Sequence, residues 1–331
     1  MLMSVPWSSP WVRHQNAAPE MDVVFQVRDV DWEVVGWGRV THTVRQTLRT
    51  LRLLDEADAV VICTSFLDAA LAAVILRLRP GITLAVWDFL LPRRRLVRAV
   101  ARIAMRRVDL WMIIRRGDEA TFRTQMGARV FRFVPFLVEP GEESGSSDGQ
   151  YVYAAGSAHR DWQTLVESIQ LSAVPAVIST NDIILVPDDV RHLVTVIPLA
   201  KPEDGRMHMR GALAACVPLH DTELPCGPLV VLDAMRAGKV VVATDVNGTR
   251  DYVVSGRTGI LVPPHDAQRL AEALAELRGE PARRQSMGAS AREASNAFLP
   301  PRILRSITSA VSEVTPRASH RQSMRSRKPR G

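Results

Sequence analysis

Leu224-Pro225-Cys226-Gly227-Pro228-Leu229-Val230-Val231-Leu232-Asp233-Ala234-Met235-Arg236-Ala237-Gly238-Lys239-Val240-Val241-Val242-Ala243-Thr244-Asp245 reads as a turn, a helix, a second turn and a buried strand. Gly227 and Pro228 stand where a helix begins: proline at the first helical position gives up no hydrogen bond, and glycine tolerates a tight approach. The N–H groups of that first turn have no intrahelical partner and, with the helix dipole behind them, favour an anion. Gly238 closes the helix after roughly three turns, and the unbroken Val240-Val241-Val242-Ala243 run suits a strand covered on both faces of a parallel sheet. Asp233 is the one acidic group on the helix. Asp245-Val246-Asn247-Gly248 then supplies a turn at the carboxyl end of the strand, the edge where open α/β sheets bind ligands. A phosphate-bearing ligand at the helix start is the expectation.

The same alternation extends in both directions. Short apolar runs at 23–27, 59–63, 83–87, 110–114 and 130–134 are separated by helical patterns such as 43–54 and 69–78, as βαβ units require. A polar stretch rich in glycine and serine interrupts the pattern at 139–149. Strand-like runs resume at 151–155, 176–179, 195–199, 215–219, 240–243 and 259–262, followed by helical patterns at 267–277, 282–297 and 303–314. The expected organisation is an N-terminal extension over 1–20, a short first α/β domain over 21–140, a linker over 141–149, a second α/β domain over 150–300, a closing helix over 301–314 and a disordered basic tail over 315–331.

Bulk properties narrow the class. A chain of 331 residues with 47% hydrophobic content fills two ordinary cores and is neither fibrous nor disordered. Its three cysteines show no paired spacing, which points to reduced, packed thiols. No run approaches the roughly 18 apolar residues of a spanning helix, and the first residues lack a signal-peptide core. The expected place is the cytoplasm, with peripheral attachment at the inner membrane face. The formal charge of +7 is carried almost wholly by arginine. Arg93, Arg94, Arg95, Arg98, Arg102, Arg106, Arg107, Arg115 and Arg116 surround Leu96, Val97, Val100 and Ile103, and an amphipathic basic helix over 93–107 can rest on an anionic lipid surface. Aromatic residues for base stacking are few there, so nucleic acid is not the expected partner.

The ordered series from Cys226 to Ala243, then Asn247-Gly248, then Gly256-Arg257-Thr258-Gly259-Ile260-Leu261-Val262-Pro263-Pro264, resembles the signature of retaining family 4 nucleotide-sugar glycosyltransferases, the glycosyl transferases of group 1. The resemblance implies the α/β GT-B fold, with two doubly wound Rossmann-like domains facing a central cleft. It implies a nucleoside-diphosphate sugar donor, an acceptor that the sequence does not identify and that includes lipid-linked molecules among its candidates, retention at the anomeric carbon, and neither metal nor cofactor. Asp233 would accept hydrogen bonds from the donor ribose. Gly227, Pro228, Leu229 and Val230 would present amides to the donor's sugar and phosphate oxygens. Gly156 and Ser157, after the strand that opens the second domain, would border the diphosphate, with Arg160 and Lys201 as the cations for the leaving group. The family's first motif glutamate falls on Pro225, with Glu223 and Asp221 close enough to substitute, and the histidine that relatives place before an aspartate is Trp87 here. Those two departures favour as alternatives a catalytically silent GT-B protein that binds a nucleotide sugar or a partner. A nucleotide-sugar epimerase is the same-architecture rival. The carboxylates show no paired spacing for Mg²⁺, and the eight histidines show no ligand motif.

Overall fold

The computed structural model describes residues 1–5, 24–27, 57–63, 66–89, 94–140, 149–222 and 226–316, with a few helical positions between 41 and 48. The chain divides into two compact units, Met1–Pro135 with Pro300–Gly331, and Phe136–Leu299. The division falls a few residues before the expected linker, and 141–148 lie outside the described residues.

The first unit holds six strands: β1 (Leu2–Val5), β2 (Val24–Val27), β3 (Ala59–Cys63), β4 (Thr83–Trp87), β5 (Leu110–Ile113) and β6 (Phe131–Phe133). They form one sheet in the order β2-β1-β3-β4-β5-β6, and every pairing is parallel. Parallel strands need helices on both faces, which explains why β3 and β4 are buried at every position and, apart from Thr83, apolar throughout rather than alternating. The helices are α1 (Phe66–Ile75), α2 (Arg95–Met105) and α3 (Asp118–Met126). Ala69, Ala72 and Leu76 bring α1 and its terminal 3₁₀ turn onto Val60, Ile62 and Leu84 in a continuous core that also includes Trp111 and Phe122.

Two features go beyond the sequence reading. The first residues are no extension: Leu2–Val5 pair on one side with β2 and on the other with β3, so the chain opens with an inner strand. The last described helix, Pro300–Val314, which the sequence sets apart from the second domain, belongs to the first unit, where it packs on β4 and β5, and Glu313 pairs with Arg132 at 2.5 Å.

The second unit contains β7 (Val152–Ala155), β8 (Ala176–Ser179), β9 (Val194–Ile197), β10 (Ala214–Val217), β11 (Val241–Thr244) and β12 (Gly259–Val262). Its helices are α4 (Trp162–Ser172), α5 (Pro202–Gly211), α6 (Pro228–Arg236), α7 (Ala267–Gly279) and α8 (Pro281–Ser295), and the returning helix Pro300–Val314 of the first unit is α9. The sheet order β9-β8-β7-β10-β11-β12 is the doubly wound arrangement, whose direction reverses between β7 and β10. Two apolar layers cover its faces, one around Leu165, Ile169, Val242 and Leu274, the other around Val217, Val231, Leu232 and Met235. Cys63, Cys216 and Cys226 are buried and form no disulfide, and burial pushes the Cys216 thiol up to about 12, so it packs rather than reacts.

Candidate functional site

The carboxyl edge of the second sheet gathers the sequence-derived site residues in two places. The first is the reversal point between β7 and β10. Gly156 ends β7 at φ +111°, a backbone conformation suited to glycine, and its N–H donates to the Ser179 carbonyl at 3.0 Å. The chain then folds back so that the Asp161 N–H reaches the Pro218 carbonyl at 3.1 Å and the His220 N–H reaches the His159 carbonyl at 3.1 Å. The loops after β7 and β10 are thereby stitched into one surface. Ser157 is exposed, with its Oγ 3.2 Å from Thr180 Oγ1.

Arg160 does not face outward from this surface. Its Nε donates to the Ala155 carbonyl at 2.9 Å and its Nη1 to the Ala158 carbonyl at 3.0 Å, and the side chain is buried against Gly156. It braces the loop. That geometry departs from the leaving-group role the sequence suggested for it.

The start of α6 is the second feature. Gly227 caps the helix at φ +92° with no side-chain cap, Pro228 occupies the first helical position, and Leu229 is exposed. A Cβ on Gly227 would sit 2.8 Å from Leu219 Cδ1, and one on Gly248 would collide with the Cys226 carbonyl oxygen, so the 246–249 turn lies directly against the helix start. Thr249 fixes that turn by donating its hydroxyl to the Val246 carbonyl at 3.0 Å. The first-turn amides of α6 are left by geometry without intrahelical acceptors. Glu223 and Pro225 lie outside the described residues.

Asp233 projects from the outer face of α6, since its neighbours Leu232 and Ala234 point into the core. It lines a pocket of about 360 Å³ with Glu139, Glu203, Arg206, Arg210 and Arg236. The carboxylate meets solvent through the pocket mouth, yet the walls supplied by α5 and α6 displace much of the surrounding water. Loss of that hydration raises its carboxyl from 3.8 to about 6, with Arg206 opposing the rise and Glu139 adding to it. None of Gly156, Ser157, Arg160, Gly227, Pro228, Leu229 or Val230 lines this pocket. Lys201 is exposed at the amino end of α5, where its carbonyl accepts the Gly205 N–H at 2.8 Å, and it does not line the pocket either. The acidic and basic groups of α5 and Glu139 are functional candidates that sequence reasoning passed over. Their only sequence signal is the acidic start of α5 at Glu203 and Asp204.

In the first unit, Trp87 is buried at the end of β4 and donates its Nε1–H to the Val134 carbonyl at 2.9 Å. The arginine-rich segment splits by function. Arg107 pairs with Asp109 at 2.5 Å and donates to the Leu76 and Ile82 carbonyls, Arg115 pairs with Asp118 at 2.5 Å, and Arg116 lies 4.1 Å over the Phe133 ring. Arg94, Arg95, Arg102 and Arg106 are exposed, and Arg93 lies outside the described residues. Ala101 and Met105 anchor α2, while Leu96, Val100 and Ile103 form an outward stripe, 83%, 72% and 58% exposed. Among the described residues no helix is long and apolar enough to cross a membrane.

Residues 189–294 match the family model of glycosyl transferases group 1. A D-inositol 3-phosphate glycosyltransferase of Kribbella flavida is 36% identical over 111 residues, which are 34% of this chain and 25% of that enzyme. The match thus spans about a quarter of the relative's length. Among solved structures, Anabaena HepE in complex with UDP and glucose superposes with a TM-score of 0.68 at 14% identity, covering 94% of this chain and 99% of the other. Sucrose-phosphate synthase from Thermosynechococcus elongatus gives a TM-score of 0.64 at 16% identity, covering 93% and 85%. Two all-parallel sheets clothed by helices, with these neighbours, make the fold GT-B.

Proposed function

We propose that this GT-B protein, which carries a glycosyl transferases group 1 domain over residues 189–294, moves a sugar from a nucleoside-diphosphate donor to an acceptor with retention at the anomeric carbon. The observation that carries the reading is the pairing, on a single helix inside the matched region, of an uncapped glycine-proline start and a pocket-lining carboxylate. A helix start of that kind suits an anion, and an ionised carboxylate is a strong acceptor for two neighbouring hydroxyls. In this reading Asp233 holds the donor ribose, and the amides of Gly227, Leu229 and Val230 meet the diphosphate and sugar oxygens. Pro228 presets the turn. Gly156 and Ser157 border the diphosphate, Lys201 supplies the mobile cation, and Arg160 keeps the Gly156 loop in shape. Glu223 takes the place of the motif glutamate toward the sugar.

The transfer asks little covalent chemistry of the protein. Negative charge grows on the departing nucleoside diphosphate, and fixed amide dipoles stabilise it without reorganising, while acceptor and anomeric carbon are held together. No metal is required for that step. UDP is the first nucleotide to try, because it is the one held by HepE. Attachment to an anionic membrane face through α2 is part of the proposal. The outward Leu96, Val100 and Ile103 stripe is flanked by exposed arginines, a combination that sinks apolar side chains beneath lipid headgroups while cations pair with them.

A panel of UDP, GDP and ADP sugars tests the chemistry. The expected result is release of one nucleoside diphosphate, with the transferred or hydrolysed sugar first appearing in the donor's anomeric configuration by NMR. A donor that binds without turnover would favour the silent-binder reading, which Trp87, tied to the Val134 carbonyl where relatives have a histidine, supports. Sedimentation with phosphatidylglycerol vesicles at low salt tests α2. Binding should fall in Leu96→Ser/Val100→Ser, and absence of binding by the unaltered protein would remove the membrane part alone.

A further inference from the structure

We propose that Asp161, His220 and His265 form a binding site for a late first-row divalent cation of the Zn²⁺ class. The three residues come from three separate loops at the carboxyl edge of the second sheet: Asp161 after β7, His220 after β10 and His265 after β12. Two of those loops flank the reversal point, where the strand order itself opens a crevice. One Asp161 carboxylate oxygen, Oδ2, lies 2.7 Å from His265 Nδ1 and 3.7 Å from His220 Nδ1. One ligand atom from each residue lies within 4.8 Å of the others, the only such trio among the described residues. Zinc bonds to nitrogen and oxygen are about 2.0 to 2.2 Å, which places two tetrahedral ligands about 3.4 Å apart. The two separations from Asp161 bracket that value, and the third lies within 4.8 Å, so side-chain rotation of the two exposed histidines brings the ligands to bonding distance.

The donor set selects the metal. Two borderline imidazole nitrogens beside one hard carboxylate suit zinc, nickel or cobalt and do not suit magnesium, which demands an octahedron of oxygens. Three protein ligands also leave a fourth position open to water or another ligand, the pattern of an accessible rather than a closed site.

The surroundings hold the ligands ready. Asp161 is 3% exposed and fixed as the cap of α4, accepting from Thr164 N–H at 3.1 Å and Thr164 Oγ1 at 2.8 Å. His220 and His265 are exposed, their rings 5.4 Å apart, so an ion can reach them from solvent. His265 adopts φ +57°, a conformation that a residue with a Cβ takes at a cost, and strain of this kind gathers at functional sites. Without an ion the His265 Nδ1–H donates to Asp161. On binding, that proton passes through water to Nε2, Nδ1 offers its lone pair, and one hydrogen bond gives way to metal bonds that tie the three loops together.

The inference stands apart from the proposed transferase activity, and its test uses no sugar donor. Protein stripped with a chelator and desalted is titrated with ZnCl₂ by calorimetry, with MgCl₂ in parallel, and its melting temperature is followed. The expected result is one saturable Zn²⁺ event, no Mg²⁺ event, and a rise in melting temperature with Zn²⁺. His220→Ala and His265→Gly should each lose the event and the rise, and glycine suits the backbone at 265. His208→Ala, whose ring stacks on Tyr153 elsewhere in the unit, should keep both. A titration showing no saturable Zn²⁺ event, or an event that survives in His220→Ala and His265→Gly, would overturn the site.

Discussion

Both units are built on six parallel strands, but the carboxyl edges of their sheets are used differently. Among the described residues of the first unit, polar groups at that edge are taken up by the fold: the Trp87 indole is tied to the Val134 carbonyl, Asp88 is buried at the end of β4, and Arg115 is paired with Asp118 just after β5. In the second unit the same edge keeps polar groups within reach of solvent, among them the start of α6, His220 and His265, while Asp233 opens into its pocket further along α6. Chemistry needs groups with unspent bonding capacity, which is why the proposal puts the ligand on the second unit and gives the first unit shape and, on α2, a surface.

The largest expected effect would break or confirm the structural half of that comparison. Asp118→Ala leaves Arg115 buried beside an empty place, and a broken buried pair costs about 3 to 5 kcal/mol. Urea unfolding should show that loss, while nucleotide affinity per folded molecule stays unchanged. A loss below 1 kcal/mol would mean that the first unit's edge is not held by this pair. Next in size is Gly248→Ala, whose methyl group meets the Cys226 backbone under the α6 start. Overpacking of this kind costs about 1 to 3 kcal/mol, read as a lower melting temperature, and it should weaken nucleotide binding as well. An unchanged melting temperature would show that the turn yields freely.

The smallest effect sharpens the functional half. Asp233 must be ionised to accept from ribose hydroxyls, and its carboxyl sits at about 6 because the pocket walls strip hydration from the charge. The raised value means that the protonated form prevails below that pH and acceptor strength grows as pH rises through it. Affinity for a sugar nucleotide, whose diphosphate does not titrate in this range, should be about tenfold weaker at pH 5 than at pH 7. Asp233→Asn should flatten that profile, and a slope surviving the change would place the titrating group elsewhere.

Most of the architecture was legible in the chain because both-face burial leaves unbroken apolar runs. The runs at 59–63, 83–87, 176–179 and 259–262 coincide with β3, β4, β8 and β12. β1 escaped notice because four residues interrupted by Ser4 carry too little pattern, although the strand lies inside the sheet. The return of α9 was equally invisible: periodicity marks a buried face without saying which unit covers it. At the site, the glycine-proline start of α6 could be read from local rules. The inward turn of Arg160 could not, since it depends on carbonyls presented by the folded loop. Nor could the Asp161, His220 and His265 grouping, because residues on three loops share no spacing and meet only through strand order.

The central claim is that the second unit grips a nucleoside diphosphate with Asp233 on the ribose. Calorimetric titration of UDP into the unaltered protein and into Asp233→Ala, both at pH 7.5, tests it most directly. Loss of hydrogen bonds to a charged acceptor is worth about 1.5 to 3 kcal/mol, so the variant should bind at least about tenfold more weakly. Equal affinity in the two proteins would contradict the account.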